Sequence, residues 1–245
     1  MNPRIVVATT RRVLGQLRRD PRTVALLLLV PCVLVALMKW VFSGDDLIFQ
    51  RVGVPLLGIF PLVSMFLVTS ITMLRERTTG TLERLMTMPL AKLDLLLGYG
   101  IAFALVATVQ ALVTSGVAFG LLDLHVEGST ALVMALAVLN ALLGMSLGLF
   151  VSAFARTEFQ AVQFMPAFVF PQLLLCGLFV ARDRMADLLH AISYALPLTY
   201  AFDALQRVTV DGALGAAGVR DVLITAGVTV LSLALGAATL RRRTA

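Results

Sequence analysis

Residues 54–90 read VPLLGIFPLVSMFLVTSITML (Val54–Leu74), followed at once by RERTTGTLERLMTMPL (Arg75–Leu90). The first part holds no charged residue and is long enough to cross a bilayer, which takes about 20 apolar residues as a helix. The second is a charged island. Arg75, Glu76, Arg77, Glu83 and Arg84 carry its charge, Gly80 interrupts it, and Leu82, Leu85, Met86 and Met88 give it an apolar side. A further apolar run starts at Leu93. An apolar span, a short amphipathic segment and another apolar run are the grammar of a chain that crosses a membrane repeatedly.

The rest of the chain repeats this alternation. Of 245 residues, 59% are hydrophobic and 14% charged, and the mean hydropathy is +0.95. A soluble domain could not hide so much apolar surface, so a bilayer must receive it. The expected fold is an all-α polytopic membrane protein, one transmembrane domain over 1–245 with six transmembrane helices. These fall at about 23–42, 54–74, 93–122, 130–154, 161–180 and 222–240.

Residues 1–22 set Ile5, Val6, Val13, Leu14 and Leu17 against Arg4, Arg11, Arg12, Arg18 and Arg19. That pattern predicts an N-terminal interfacial helix with its arginines on the phosphates of membrane lipid. Asp20-Pro21 ends it and opens the first span, since proline suits a first helical turn. Arginines crowd the residues before the first apolar run, and no small-residue cleavage site follows soon, so no cleaved signal peptide is expected.

Lys39 and Trp40 mark the outer end of the first span, where an ammonium snorkels and an indole anchors. Residues 43–53 read as an external loop, and Pro55 and Pro61 as a kink or irregular entry to the second span. Gly116-x-x-x-Gly120 in the third span and Gly144, Gly148 and Ser152 in the fourth place small residues on one face, the pattern of close helix contact. Asp123–Ser129 reads as a solvated loop. Pro166 and Pro171 make the fifth span the least regular. In 181–208, Arg182, Asp183, Arg184, Asp187 and His190 alternate with Met185, Leu188, Leu189 and Ile192 until Pro197 intervenes. This segment is too polar to span, and it reads as broken, partly re-entrant half-helices at the outer surface.

The formal charge of +6 does not indicate nucleic acid, because the 20 basic residues sit between apolar runs and at the ends. With both termini in the cytoplasm, fourteen of the 20 fall in inner segments, as the positive-inside rule requires. The 75–90 island is then cytoplasmic, and the expected location is a multi-pass protein of the plasma membrane. Cys32 and Cys176 lie in apolar stretches and offer neither a disulfide framework nor a metal spacing.

No phosphate-binding loop, nucleophile elbow or H-E-x-x-H occurs, so no catalytic residue is assigned. The predicted spans hold no Asp or Glu at mid-depth of the kind that couples ions to transport. What lies at depth is neutral: Gln110, Asn140, Gln163 and Gln172, with Thr108 and Thr114. These either join helices or line a substrate path. Energy for any work must come from elsewhere.

Arg75-Glu76-Arg77-Thr78-Thr79-Gly80-Thr81-Leu82-Glu83-Arg84-Leu85, followed by Met88-Pro89-Leu90, resembles the R-E-x-x-x-G-T-L-E-x-L…P motif of type-2 ABC transporter permeases. Leu196-Pro197-Leu198-Thr199-Tyr200 is similar to that family's L-P-x-x-Y segment. Where members often carry a segment such as S-G-x-x-x-P after the fifth span, this chain has Cys176-Gly177-Leu178-Phe179-Val180. The resemblance implies a permease subunit, not itself an enzyme, with 75–90 as a coupling helix docked on a separate ABC ATPase subunit. Arg75, Glu76, Gly80, Thr81, Leu82, Glu83, Arg84, Leu85 and Pro89 are the implied docking residues. ATP and Mg would be bound by that partner and no cofactor or metal by this chain. The family further implies a homodimer exporting an amphipathic drug or lipid. The alternatives are export of a polysaccharide or glycolipid, or a non-transporting sensor or scaffold that binds an ATPase.

Overall fold

A computed structural model describes residues 3–81 and 92–239. Among these residues the structure is helical, without strands. The helices are α1 (Pro3–Arg18), α2 (Pro21–Val41), α3 (Asp46–Thr78), α4 (Lys92–Leu121), α5 (Thr130–Val151), α6 (Glu158–Leu175), α7 (Asp187–Ser193), α8 (Pro197–Val210) and α9 (Gly215–Ala238), with a 3₁₀ turn at Arg182–Arg184.

α1 and α2 meet where the sequence said they would. The Asp20 carboxylate caps α2, taking hydrogen bonds from the Thr23 amide at 3.2 Å and its hydroxyl at 2.6 Å, and Pro21 occupies the first turn. α1 lies against α4, where the Thr10 hydroxyl donates to the Gly98 carbonyl at 3.1 Å. Gly98 is needed there, because a Cβ would press on Thr9 and the Val6 carbonyl.

α3 is the axis of the molecule. It has 33 residues, about 50 Å at 1.5 Å per residue, so it outreaches a hydrocarbon core of about 30 Å. Phe49, Val54, Leu57, Met65 and Phe66 along it are fully buried. Because lipid tails are as apolar as leucine, burial gives helices in a bilayer little drive to associate; close van der Waals packing must do so. The small-residue face of α5 supplies it. A Cβ on Gly144 would strike the Leu62 backbone of α3, and one on Gly148 would strike Phe66 and Thr69. The Thr69 hydroxyl also reaches across to the Met145 carbonyl at 3.3 Å.

Several expectations change. The loop expected over 43–53 ends at Asp45, which accepts from the Ile48 amide at 3.2 Å, caps α3, and starts the helix at Asp46. Lys39 does more than snorkel, since it pairs with Asp46 at 2.8 Å over the Phe49 ring. α3 continues through Pro55 and Pro61. Gly116 and Gly120 face open space within the chain and make no helix contact there. The segment expected at 161–180 is a helix of 18 residues, Glu158–Leu175, containing both prolines. Among the described residues, five helices are long and apolar enough to cross a membrane, namely α2, α3, α5, α9 and Leu97–Leu121 of α4. α6 falls short because Glu158, Gln160, Gln163 and Gln172 dilute it.

The 181–208 segment is broken, as expected, but differently. Arg182–Arg184 form a 3₁₀ turn, and the helix starts only at Asp187. Pro197 begins α8 rather than merely ending α7. The Leu-Pro-x-x-Tyr segment fastens that junction: the Thr199 hydroxyl donates to the Ser193 carbonyl at 2.8 Å, and the Tyr200 hydroxyl to that of Tyr194 at 2.7 Å. Arg182 of this segment pairs with Asp203, and Arg207, with Arg220 of α9, pairs with the buried Asp221.

Candidate functional site at the end of α3

The charged island begins inside α3. Arg75 to Thr78 form the last turn of that helix, not the start of a separate coupling helix over 75–90. Thr79 caps it, its amide bonding the Arg75 carbonyl at 2.9 Å and its hydroxyl bonding the same oxygen at 2.7 Å. Gly80 then takes φ +71°, the left-handed conformation that only glycine enters without steric penalty, and turns the chain out of the helix. Thr81 follows, its hydroxyl 3.0 Å from that of Thr79. Leu82, Glu83, Arg84, Leu85 and Pro89 lie outside the described residues.

Two ion pairs fix this helix end. Arg75 forks onto Glu158 at the start of α6, with 2.7 and 3.0 Å contacts. Both side chains are about half exposed, so the pair contributes about 0.2–1 kcal/mol while linking the end of α3 to the start of α6. Glu76 is different: it is only 6% exposed. Arg12 of α1 approaches its carboxylate at 3.3–3.4 Å, and the Tyr99 hydroxyl of α4 donates to it at 2.8 Å. Arg12 also donates to the Tyr99 hydroxyl and lies over its ring. Burying a carboxylate is costly unless its oxygens are hydrogen-bonded and paired, as they are here. Glu76 therefore ties α1 and α4 to the end of α3 and does not face outward. Beside this triad, a cleft of about 500 Å³ opens between α1, α2 and α3, with Asp20, Thr72, Thr79 and Thr81 in its wall.

The model of the ABC-2 type transporter family matches residues 4–209 of this chain. The chain belongs to the ABC-2 type transporter family. Among its relatives, the probable multidrug ABC transporter permease YbhS of Escherichia coli K12 is 26% identical over 170 residues, 69% of this chain and 45% of the relative. Its counterpart YbhR from the same organism is 26% identical over 153 residues, 62% of this chain and 42% of the relative. The linearmycin resistance permease protein LnrN of Bacillus subtilis is 26% identical over 164 residues, 64% and 40% of the two chains. The chain thus spans less than half the length of these relatives. Family and apolar helices together describe a multi-pass membrane protein.

In this ABC-2 chain the four polar residues expected to join helices or line a substrate path differ in their partners among the described residues. Gln110 is buried, and its amide donates to the Leu27 carbonyl of α2 at 3.0 Å. That carbonyl needs a donor because Pro31, four residues on, has no N–H. Gln172 is buried; it donates to the Phe168 carbonyl at 2.9 Å and accepts the Leu198 amide, an orphan donor of α8, at 3.4 Å. Asn140 is buried against Gly58 of α3, and its side-chain nitrogen makes no hydrogen bond among the described residues. Gln163 is exposed on α6. Gln110 and Gln172 thus act as helix joints. The sequence reading had missed Tyr99 and Glu158, and had counted Arg12 only as an interfacial charge. Their partners lie 87, 83 and 64 residues away, and no local pattern announces such pairings.

Proposed function

We propose that this chain is the transmembrane permease subunit of an ATP-driven exporter. The observation that carries the reading is the exit from α3. A helix end held by Arg12, Tyr99 and Glu158 releases the chain through a left-handed Gly80 straight into the amphipathic island. A segment emerging from a clamped axial helix passes force to the helix instead of absorbing it. Residues 82–90 then dock on a separate ABC ATPase that binds ATP and Mg, with Leu82 and Leu85 as apolar anchors and Glu83 and Arg84 setting orientation.

In this reading α6 is the sixth crossing. Its 18 residues reach about 27 Å, close to the hydrocarbon thickness, and Phe159, Phe168, Phe170 and Leu174 stand exposed on it. Both termini are then cytoplasmic, in a plasma membrane, and α7 and α8 form a re-entrant outer pair. Two copies enclose the path, and the cargo is an amphipathic drug or lipid. The names of the multidrug and linearmycin-resistance relatives agree with that class.

The test is co-purification with the ATPase after Glu83→Arg. Loss of the complex and of cargo-stimulated ATP hydrolysis is expected. An unaffected complex that still couples hydrolysis to transport would refute the docking.

A further inference from the structure

A second cavity shares Tyr99 with the Glu76 triad. It is a groove of about 490 Å³ between the last turns of α3, the first half of α4, α5 and the end of α9. Its wall is almost wholly apolar: Met73, Ile101, Ala104, Leu149 and Leu233 are typical. Three polar residues also reach it, Arg77, Tyr99 and Thr229. The Tyr99 hydroxyl is committed to Glu76 and Arg12, and that of Thr229 to the Thr225 carbonyl at 2.8 Å. Arg77 is committed to nothing among the described residues. Its Nε is buried without a hydrogen-bond partner, and no carboxylate among the described residues pairs with it, whereas Arg12 and Arg75 beside it are both paired.

A guanidinium that is always charged, half-buried at the end of an apolar groove, leaves one positive charge uncompensated in a medium of low dielectric. An anion with a long apolar tail satisfies both halves of this site at once. Arginine presents a planar fork that fits phosphate oxygens bidentately. Arg77 lies in the last turn of α3, at the start of the charged island, and in the orientation proposed above that is the headgroup level of the inner leaflet. We infer that this groove binds one anionic phospholipid, its phosphate on the Arg77 guanidinium and an acyl chain along α4 and α9. A zwitterionic lipid fits less well, because its own ammonium already offsets the phosphate. The site does not depend on export. Only its assignment to the inner leaflet rests on the orientation proposed above.

The full chain, purified in detergent, is titrated with phosphatidylglycerol or phosphatidylcholine, and bound lipid is counted by native mass spectrometry. One phosphatidylglycerol per chain is expected, held at least about tenfold more tightly than phosphatidylcholine, as a charge-assisted bond in an apolar site allows. Arg77→Gln should abolish the preference, and Arg77→Lys should keep part of it. Gly100 lines the groove, and a Cβ there meets open space, so Gly100→Leu folds and should expel both lipids. Inorganic phosphate at millimolar concentration should not displace the lipid. Equal retention of the two lipids, undiminished phosphatidylglycerol in Arg77→Gln or Gly100→Leu, or displacement by phosphate alone overturns the inference. None of these readouts involves transport, so failure of the exporter reading leaves them intact.

Discussion

At the scale of single residues, Glu76 carries the largest consequence. Removing its charge while keeping its shape leaves Arg12 and the Tyr99 hydroxyl facing a neutral amide. Glu76→Gln should destabilise the protein by about 2–3 kcal/mol, the range for hydrogen bonds to charged groups in poor solvent, seen as a lowered Tm in detergent. Arg12→Gln in the same background should add little, since the two residues share one interaction. Asp20 supplies a pH test. The Thr23 hydroxyl and then its amide hold the Asp20 carboxyl below its ordinary value. A lowered carboxyl stabilises the fold above the usual carboxylate pKa of about 4 and loses that contribution as pH falls through the lowered value. The protection of amides at the start of α2, measured as hydrogen exchange relative to the intrinsic rate at each pH, should therefore fall in strongly acidic buffer, and Asp20→Ala should lower that protection at neutral pH as well. Neither the Glu76 nor the Arg75 pairing was legible in the sequence. The resemblance implied docking charges at both positions, while the fold buries Glu76 between α1 and α4 and pairs the half-exposed Arg75 with Glu158.

At the scale of elements, the sequence was clearest where spacing alone sets the contact. Gly144 and Gly148 recur every four residues, so they share a face whatever packs against it, and that face is where α3 comes closest. Gly144→Val should cost at least the roughly 1–3 kcal/mol of an overpacked core, with loss of thermal stability in detergent. Gly116 and Gly120 have the same spacing and meet nothing within the chain. Gly116→Ala should be neutral or stabilising by up to about 1 kcal/mol, as expected for replacing a helical glycine. Equal damage from the two substitutions would show that spacing, and not the observed packing, decides. The start of α3 was missed although its signal was present. Asp45 as cap and Asp46 in the first turn are an ordinary helix opening, masked by the habit of reading charges as loop. The opposite error befell 161–180, where apolar content suggested a longer span than the 18 residues of α6.

At the scale of the whole molecule, the class was legible because a bilayer demands long apolar helices and charge sorted by side. The polar residues within it were not, since a buried glutamine lining a path and one serving the Leu27 carbonyl that Pro31 leaves without a donor look alike in sequence. Topology can be tested by single cysteines in a background lacking Cys32 and Cys176. A membrane-impermeant maleimide applied to intact cells should label His125→Cys, and should label Thr81→Cys only after the membrane is opened. The central claim is that the chain leaving Gly80 meets the ATPase. A photo-crosslinking residue placed at position 83, or for comparison at 188 on the outer α7, tests it most directly in native membranes. The account predicts an adduct with the ATPase from position 83 and none from 188. An adduct from 188, or none from 83 while the ATPase still co-purifies, would contradict it.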